Sequence, residues 1–161
     1  EELKSNPTNR RLIVSSWNPN LLPDNKKSFS ENIKDGKQAL PPCHYSFQFN
    51  SDGEYLDLMW NQRSVDTFLG LPFNIASYGL LLRMVAMITN LKPRFLVGSL
   101  GNTHIYKNHL EQVKELMSRE IIDNECQVVI RPRNSIFEFA YDDFQLLNYV
   151  CHDSIKAPIA V

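Results

Sequence analysis

The sequence predicts an α+β fold, in which strands and helices follow one another without strict alternation. Residues 45–49 alternate aromatic and polar side chains, residues 54–60 place apolar side chains on one face, and the Ser-Asp-Gly sequence at 51–53 is typical of a hairpin turn. Residues 72–90 are apolar nearly all round at helical spacing, which predicts a long helix buried in the middle of the domain. We therefore expect a mixed sheet with a long buried central helix.

Shorter patterns predict the remaining elements. Residues 108–119 carry apolar side chains at helical spacing and predict an amphipathic helix. Residues 20–38 are polar, contain four lysines and show no apolar period, which predicts a surface loop. A short buried strand is predicted at residues 12–17, and further short strands are predicted at residues 95–99, 127–130 and 137–139.

The composition is that of a globular domain and argues against several classes of function. The 161 residues are 43% hydrophobic and 22% charged, enough to bury a real core in what is normally one domain. The formal net charge of −1 argues against an extended nucleic-acid surface. Without a run of 18 apolar residues or a signal-peptide pattern, neither a membrane span nor export is expected. Three cysteines without short spacing fit a reducing compartment, so we expect a cytoplasmic location.

Cys43 is the candidate nucleophile. It follows Pro41 and Pro42, and a free thiol with a pKa of about 8.5 needs nearby positive charge to react as a thiolate at neutral pH. Arg63, which lies between polar side chains, is the candidate source of that charge. A single cysteine beside a strand is more often part of the core than a nucleophile, so this assignment depends on the surrounding motif.

The motif around Cys43 and four others, in this order, resemble the thymidylate synthase family. They are Pro41-Pro42-Cys43-His44, Gln62-Arg63-Ser64-Val65-Asp66, Gly70-Leu71-Pro72-Phe73-Asn74-Ile75-Ala76, Gly101-Asn102-Thr103-His104-Ile105-Tyr106 and Ile155-Lys156-Ala157-Pro158-Ile159-Ala160-Val161. The resemblance covers nearly the whole chain but only the C-terminal part of the family's usual length. We therefore expect residues 1–161 to be this part of the catalytic domain, with an N-terminal portion missing. Residues 20–38 exceed the family's usual connection and are expected to be an inserted surface loop, either tolerated or partner-binding.

The resemblance implies a methyltransferase that converts dUMP to dTMP with 5,10-methylenetetrahydrofolate as co-substrate and without a metal. In that family a thiolate adds to C6 of the uracil ring, so that C5 can attack the one-carbon unit, and Cys43 is implied as that thiolate. Asn74 is implied to donate to O4 and to accept from N3–H of uracil. The implied fold is a thymidylate synthase-like mixed sheet with one face used for dimerisation.

Other ligand contacts are also implied by the resemblance. The phosphate is assigned to Arg63 and Ser64, with Arg10 and Arg11 reaching across from the second subunit of a homodimer. The deoxyribose 3′-hydroxyl is assigned to His104 and Tyr106, which lie two apart on an extended segment and so face the same side. The substrate side is completed by Val65, Asp66 and Ile105, and the folate side by Asp66, Gly70, Phe73 and Ala160, the last in a C-terminal lid.

Two alternatives remain open at this point. A phage-type dUMP hydroxymethylase shares nearly all of these residues and differs in whether water or hydride ends the reaction. A non-catalytic fragment that serves as a dimerisation or binding module belongs to a different class of function. It is favoured only by the long segment 20–38 and by the missing upstream portion, which a separate N-terminal fragment would supply.

Overall fold

Six strands and four α-helices form along residues 1–159, which are the residues that the computed structural model describes. The strands are β1 (Ile13–Ser15), β2 (His44–Ser51), β3 (Tyr55–Asp66), β4 (Lys92–His104), β5 (Gln127–Ile130) and β6 (Phe144–Leu147). The α-helices are α1 (Glu2–Ser5), α2 (Phe29–Lys34), α3 (Leu71–Thr89) and α4 (Leu110–Ser118). Short 3₁₀ helices lie at Pro19–Leu21, Lys107–His109, Ile136–Glu138 and Tyr141–Asp143. This mixture without strict alternation confirms the α+β class.

The larger sheet has the strand order β1-β2-β3-β4, and β5 pairs with β6 in a separate two-stranded sheet. Strands β2 and β3 are antiparallel, with Phe47 opposite Trp60. In the turn that joins them, Gly53 has a φ of 98°, which favours glycine, and Asp52 Oδ1 accepts the amide of Tyr55 at 2.8 Å. The hairpin predicted at residues 51–53 is therefore confirmed.

The chain divides into two compact units. The first unit is Glu1–Val65 with Arg94–Thr103, and the second unit is Asp66–Pro93 with His104–Val161, as far as residue 159 is described. The core of the first unit lies along β3, where Leu56, Leu58 and Trp60 alternate with less buried residues as a half-buried strand requires. The alternation ends after Gln62, and Arg63 is exposed. The end of β3 therefore directs a charged side chain away from the core.

Helix α3 confirms the helix predicted at residues 72–90, and Asn90 ends it in the left-handed conformation at a φ of 58°. Its burial differs from the prediction, because among residues 71–89 only Leu82 and Ala86 are buried and Phe73 is 73% exposed. Within the described chain, α3 therefore buries only a narrow face, which contains Leu82 and Ala86. By length and composition α3 could cross a membrane, although its apolar residues do not form an unbroken run. This is weak evidence, because core helices of soluble proteins share the same composition.

Residues 20–38 were predicted to be a surface loop, and the structure adds that the segment contains α2. Ser28 and Glu31 form a capping box, in which Ser28 Oγ accepts the amide of Glu31 at 3.3 Å and Glu31 Oε2 accepts the amide of Ser28 at 2.8 Å. Asn32 is buried, and its side chain exchanges hydrogen bonds with the backbone of Asp24 at 2.8 and 3.1 Å. Capping and one buried amide therefore order a segment that lacks apolar periodicity.

The strand predicted at residues 137–139 is wrong. Ser135 Oγ accepts the amide of Phe137 at 3.3 Å and begins a 3₁₀ helix there. The partner of β5 is instead β6, with Gln127 opposite Leu147. The predicted strands 12–17 and 127–130 are present as β1 and β5, but the predicted burial of residues 12–17 is wrong, because β1 lies at the edge of its sheet and all three of its residues are exposed. Strand β4 is longer than the predicted strand 95–99. The helix predicted at residues 108–119 is present as a 3₁₀ turn followed by α4.

Candidate active site

Cys43 and Arg63 lie together in the first unit, where the chain enters β2 and β3 ends. The backbone joins them, because the amide of Arg63 donates to the Cys43 carbonyl at 2.9 Å. The Arg63 side chain returns to the same loop, with Nε 3.0 Å from the Pro42 carbonyl and Nη2 2.9 Å from the Pro41 carbonyl. Nη2 also lies 3.7 Å from Cys43 Sγ. An exposed thiol beside a fixed guanidinium is the arrangement that favours a reactive thiolate.

The imidazole of His44, next to Cys43 in the chain, does not supply this charge. Burial lowers the pKa of His44 below its usual value of 6.5, so the ring is neutral at neutral pH. The positive charge beside the thiol therefore comes from Arg63.

Trp17 also belongs to this cluster, although no motif or spacing in the sequence points to it. The Cζ atom of Arg63 lies 5.9 Å from the centre of the Trp17 ring. The Trp17 and Tyr45 rings meet edge to face with their centres 6.3 Å apart. These three side chains line a cavity of about 290 Å³. This cavity therefore has two aromatic rings and the Arg63 guanidinium, which also contacts Cys43, in its lining.

The second unit brings Asp66, Gly70 and Asn74 together at the start of α3. Asp66 Oδ1 accepts the amides of Phe68 and Leu69 at 3.0 and 3.2 Å, whereas Oδ2 has no hydrogen-bond donor within the described chain. A Cβ at Gly70 would lie 3.0 Å from the Asp66 carbonyl oxygen and 3.7 Å from Asn74 Oδ1. Glycine therefore allows a tight turn that leaves one carboxylate oxygen available next to the Asn74 carboxamide.

His104 and Tyr106 also lie side by side in the second unit, as their spacing predicted. Their rings meet edge to face with centres 4.9 Å apart. The His104 carbonyl accepts the amide of Thr67 at 3.0 Å, which ties the end of β4 to the turn after Asp66. Sequence reasoning did not select the fully buried His109, whose Nε2 lies 2.6 Å from the Pro158 carbonyl. Because a carbonyl only accepts, Nε2 carries the proton of that bond.

The other predicted site residues differ in accessibility. The Val65 side chain is fully buried, so only its main chain can reach a ligand, whereas Ile105 and Phe73 are exposed and Ser64 is half-buried. Arg10 and Arg11 are exposed in the turn before β1, and neither guanidinium is paired with another residue among 1–159. Ala160 lies outside the described residues.

The described chain offers no metal centre and no disulfide. Within residues 1–159, no group of three or more His, Cys, Asp or Glu side chains could hold a metal ion. Cys43, Cys126 and Cys151 are all free and exposed. The chemistry that the described cluster supports is therefore nucleophilic addition by a thiol with electrostatic help from Arg63.

Comparison with known proteins agrees with this chemistry. The family model described as "Thymidylate synthase" matches residues 1–161. A thymidylate synthase from Francisella philomiragia subsp. philomiragia is 48% identical over 161 residues, which cover 100% of this chain and 59% of that protein. One from Francisella tularensis subsp. holarctica (strain OSU18) is 50% identical over 159 residues, 99% of this chain and 58% of that protein. The chain thus spans about three-fifths of the length of these relatives. With a match along its whole length and half of its residues shared with them, the chain belongs to the thymidylate synthase family.

Proposed function

We propose that this protein methylates dUMP to dTMP, with Cys43 as the nucleophile and 5,10-methylenetetrahydrofolate as the co-substrate. The observation that carries the proposal is the contact of 3.7 Å between Arg63 Nη2 and Cys43 Sγ. A guanidinium at this distance places a positive charge beside the attacking sulfur. The thiolate adds to C6 of uracil, and the electron pair of the C5–C6 double bond moves toward C5 and O4, which makes C5 nucleophilic.

Asn74 recognises the uracil edge in this proposal. One carboxamide can donate to O4 and accept from N3–H at the same time, and donation to O4 stabilises the negative charge that develops there. An aspartate at this position would favour cytosine instead. The support in the structure is the position of Asn74 in the first turn of α3, where its side chain is half-buried. Its backbone N–H donates to the Gly70 carbonyl at 3.0 Å.

Arg63, Ser64 and a pair of arginines bind the phosphate. In support, Arg63 Nη1 has no protein partner within residues 1–159, and the guanidiniums of Arg10 and Arg11 are unpaired there. We propose a homodimer in which Arg10 and Arg11 reach the partner's nucleotide and the larger sheet forms the interface. Exposed apolar side chains on β1 and β4 support that interface: Ile13, Val14, Phe95 and Val97. His104 and Tyr106 bind the deoxyribose 3′-hydroxyl.

The residues at the start of α3 fit the folate. Asp66 Oδ2 is an available acceptor for pterin N–H groups, Gly70 keeps the turn narrow, and the Phe73 ring is 73% exposed and offers an apolar wall. Methylenetetrahydrofolate, when bound, supplies the one-carbon unit and the hydride. No metal takes part, and free exposed thiols at all three cysteines support a cytoplasmic location.

The test uses 5-fluoro-dUMP with methylenetetrahydrofolate and measures the intact mass of the chain. Fluorine cannot leave C5 as a proton does, so a reactive Cys43 is expected to retain both molecules covalently. Cys43→Ser should form no adduct and should still bind dUMP, whereas Cys126→Ser, at another exposed cysteine, should react like the wild type.

An adduct on Cys43→Ser, or none on the wild type, would contradict the proposal. With dUMP itself, the mass of the product distinguishes methylation from hydroxymethylation, because a hydroxymethyl product is heavier than dTMP by one oxygen. A hydroxymethyl product would replace methylation with hydroxymethylation and leave the role of Cys43 unchanged.

A further inference from the structure

Trp17 reaches Arg63 from the opposite side of β2. Trp17 lies two residues after β1, and the intervening Ser16 is fixed on β2 by two hydrogen bonds, from its amide to the Tyr45 carbonyl and from its Oγ to the His44 carbonyl, both at 2.9 Å. Arg63 approaches from β3, so its side chain passes over the start of β2 before it meets the ring. The contact therefore connects three neighbouring strands at the level of Cys43.

The contact restricts a side chain that would otherwise be mobile. Arg63 is exposed, and a long arginine side chain loses considerable rotamer freedom when it is held in one position. The carbonyls of Pro41 and Pro42 bind Nε and Nη2, and the Trp17 ring lies 5.9 Å from Cζ, within the distance of a cation–π contact. Without the ring, the guanidinium would be held at one edge only.

We propose that Trp17 is a positioning residue for the nucleophile, acting through Arg63 by holding its guanidinium against the Cys43 thiol. This inference rests on the proposed function, because it assumes that Cys43 carries out the chemistry. The alternative is that Trp17 only packs against Tyr45, whose ring centre lies 6.3 Å away. The two roles differ in one respect, since only positioning of Arg63 changes the positive charge felt at Cys43.

The test compares alkylation of Cys43 by iodoacetate, which is anionic, with alkylation by iodoacetamide, which is neutral and of similar size. Peptide mass mapping separates Cys43 from Cys126 and Cys151. The ratio of the two rates reports positive charge at the thiol, because altered exposure of the thiol affects both reagents alike. Trp17→Leu is expected to lower the ratio about two- to fivefold, the range of an exposed cation–π contact. Trp17→Phe retains an aromatic face and should stay close to the wild type.

A double substitution tests whether Trp17 acts through Arg63. In an Arg63→Gln background, where the ratio is already low, Trp17→Leu should lower it no further. An unchanged ratio in Trp17→Leu, an equal loss in Trp17→Phe, or a further loss in the Arg63→Gln background would each overturn the proposal.

A second route covers the case in which Trp17→Leu does not fold. In a Trp60→Phe background, fluorinated tryptophan can be incorporated so that only Trp17 carries fluorine. Fluorine weakens the negative potential at the ring face and hardly changes the size of the ring. The iodoacetate-to-iodoacetamide ratio should therefore fall with each added fluorine. These measurements need no nucleotide. A failure of the proposed methylation therefore shows in the 5-fluoro-dUMP experiment, and a failure of Trp17 to position Arg63 shows in the reagent ratio.

Discussion

Gly101 on β4 lies against the backbone of Arg63, and a single methyl group there should shift the guanidinium from its position beside the thiol. A Cβ at this position would lie 2.7 Å from the Arg63 carbonyl oxygen and 3.2 Å from both its carbonyl carbon and its Cα. Ordinary contact begins at 3.4 Å, so Gly101→Ala requires the two backbones to separate by about 0.7 Å (3.4 − 2.7). Neither backbone can yield as a flexible side chain would.

The expected magnitude follows from this displacement. Overpacking of this kind costs about 1–3 kcal/mol, which lowers the melting temperature of a chain of this size by about 2 to 12 °C. If Arg63 takes up the whole of this shift, Nη2 moves by about 0.7 Å from its position 3.7 Å from Cys43 Sγ. Misplacement on this scale commonly lowers rates by one to two orders of magnitude. We expect at least a tenfold slower formation of the 5-fluoro-dUMP adduct.

Gly98→Ala is the matched control on the same strand. Its Cβ would lie 2.6 Å from two atoms of the Trp60 ring, so the clash is as severe but falls on a core side chain. Both variants should melt at lower temperature than the wild type, and only Gly101→Ala should lower the iodoacetate-to-iodoacetamide ratio at Cys43. If both variants lower the ratio equally, or if Gly101→Ala leaves it unchanged, the explanation through Arg63 is refuted.

Two further predictions concern stability. Asp143 is buried and its carboxylate contacts Arg133 at 2.5 and 2.9 Å, so Asp143→Asn should lower the melting temperature by several degrees and the exposed Asp142→Asn should not. The Arg133 hydrogen bond lowers the pKa of Asp143 from 3.8 to about 2. The stability of the wild type relative to Asp143→Asn should therefore be greatest above pH 3.8 and decline toward pH 2. A stability difference that does not change with pH would contradict this. Ser28→Ala removes the cap of α2 and should raise the rate of amide hydrogen exchange within residues 29–34 about fivefold, which corresponds to about 1 kcal/mol. The neighbouring Ser30→Ala is the control, and an equal increase in that variant would contradict the capping role of Ser28.

Much of the fold could be predicted because the relevant signals are local. The alternation along β3 and the turn at residues 51–53 identify the hairpin, and the apolar spacing identifies α3. Residues 20–38 also carry a local signal for a helix, since Ser28 and Glu31 have the spacing of a capping box. Strand β6 could not be predicted in this way, because residues 144–147 become a strand only by pairing with β5, which lies 14 or more residues earlier. The exposure of α3 likewise depends on what packs against it and not on its own pattern.

The candidate site was predicted by resemblance more than by physical reasoning. The residue types of Cys43, Arg63 and Asn74 suited the chemistry, but their sequence positions alone favoured a core role for Cys43 over a nucleophilic one. The contact between Arg63 and Cys43 spans 20 positions, and that between Arg63 and Trp17 joins β3 to the segment after β1. No spacing rule predicts contacts between side chains of separate strands. Trp17 therefore entered the site only with the structure.

The partners of Arg63 also determine how far its charge acts. Arg94 is paired with the carboxylates of Asp52 and Asp57, and Arg133 with that of Asp143, so the field of each is largely cancelled nearby. Arg63 is held instead by two neutral carbonyls and a ring, and no carboxylate among residues 1–159 pairs with it. Its full positive charge therefore extends into the solvent, and in the proposed reaction it would draw the dianionic nucleotide toward the thiol before contact. Capture of that nucleotide should consequently slow as ionic strength rises, since at 0.1 M salt the attraction is screened beyond about 10 Å.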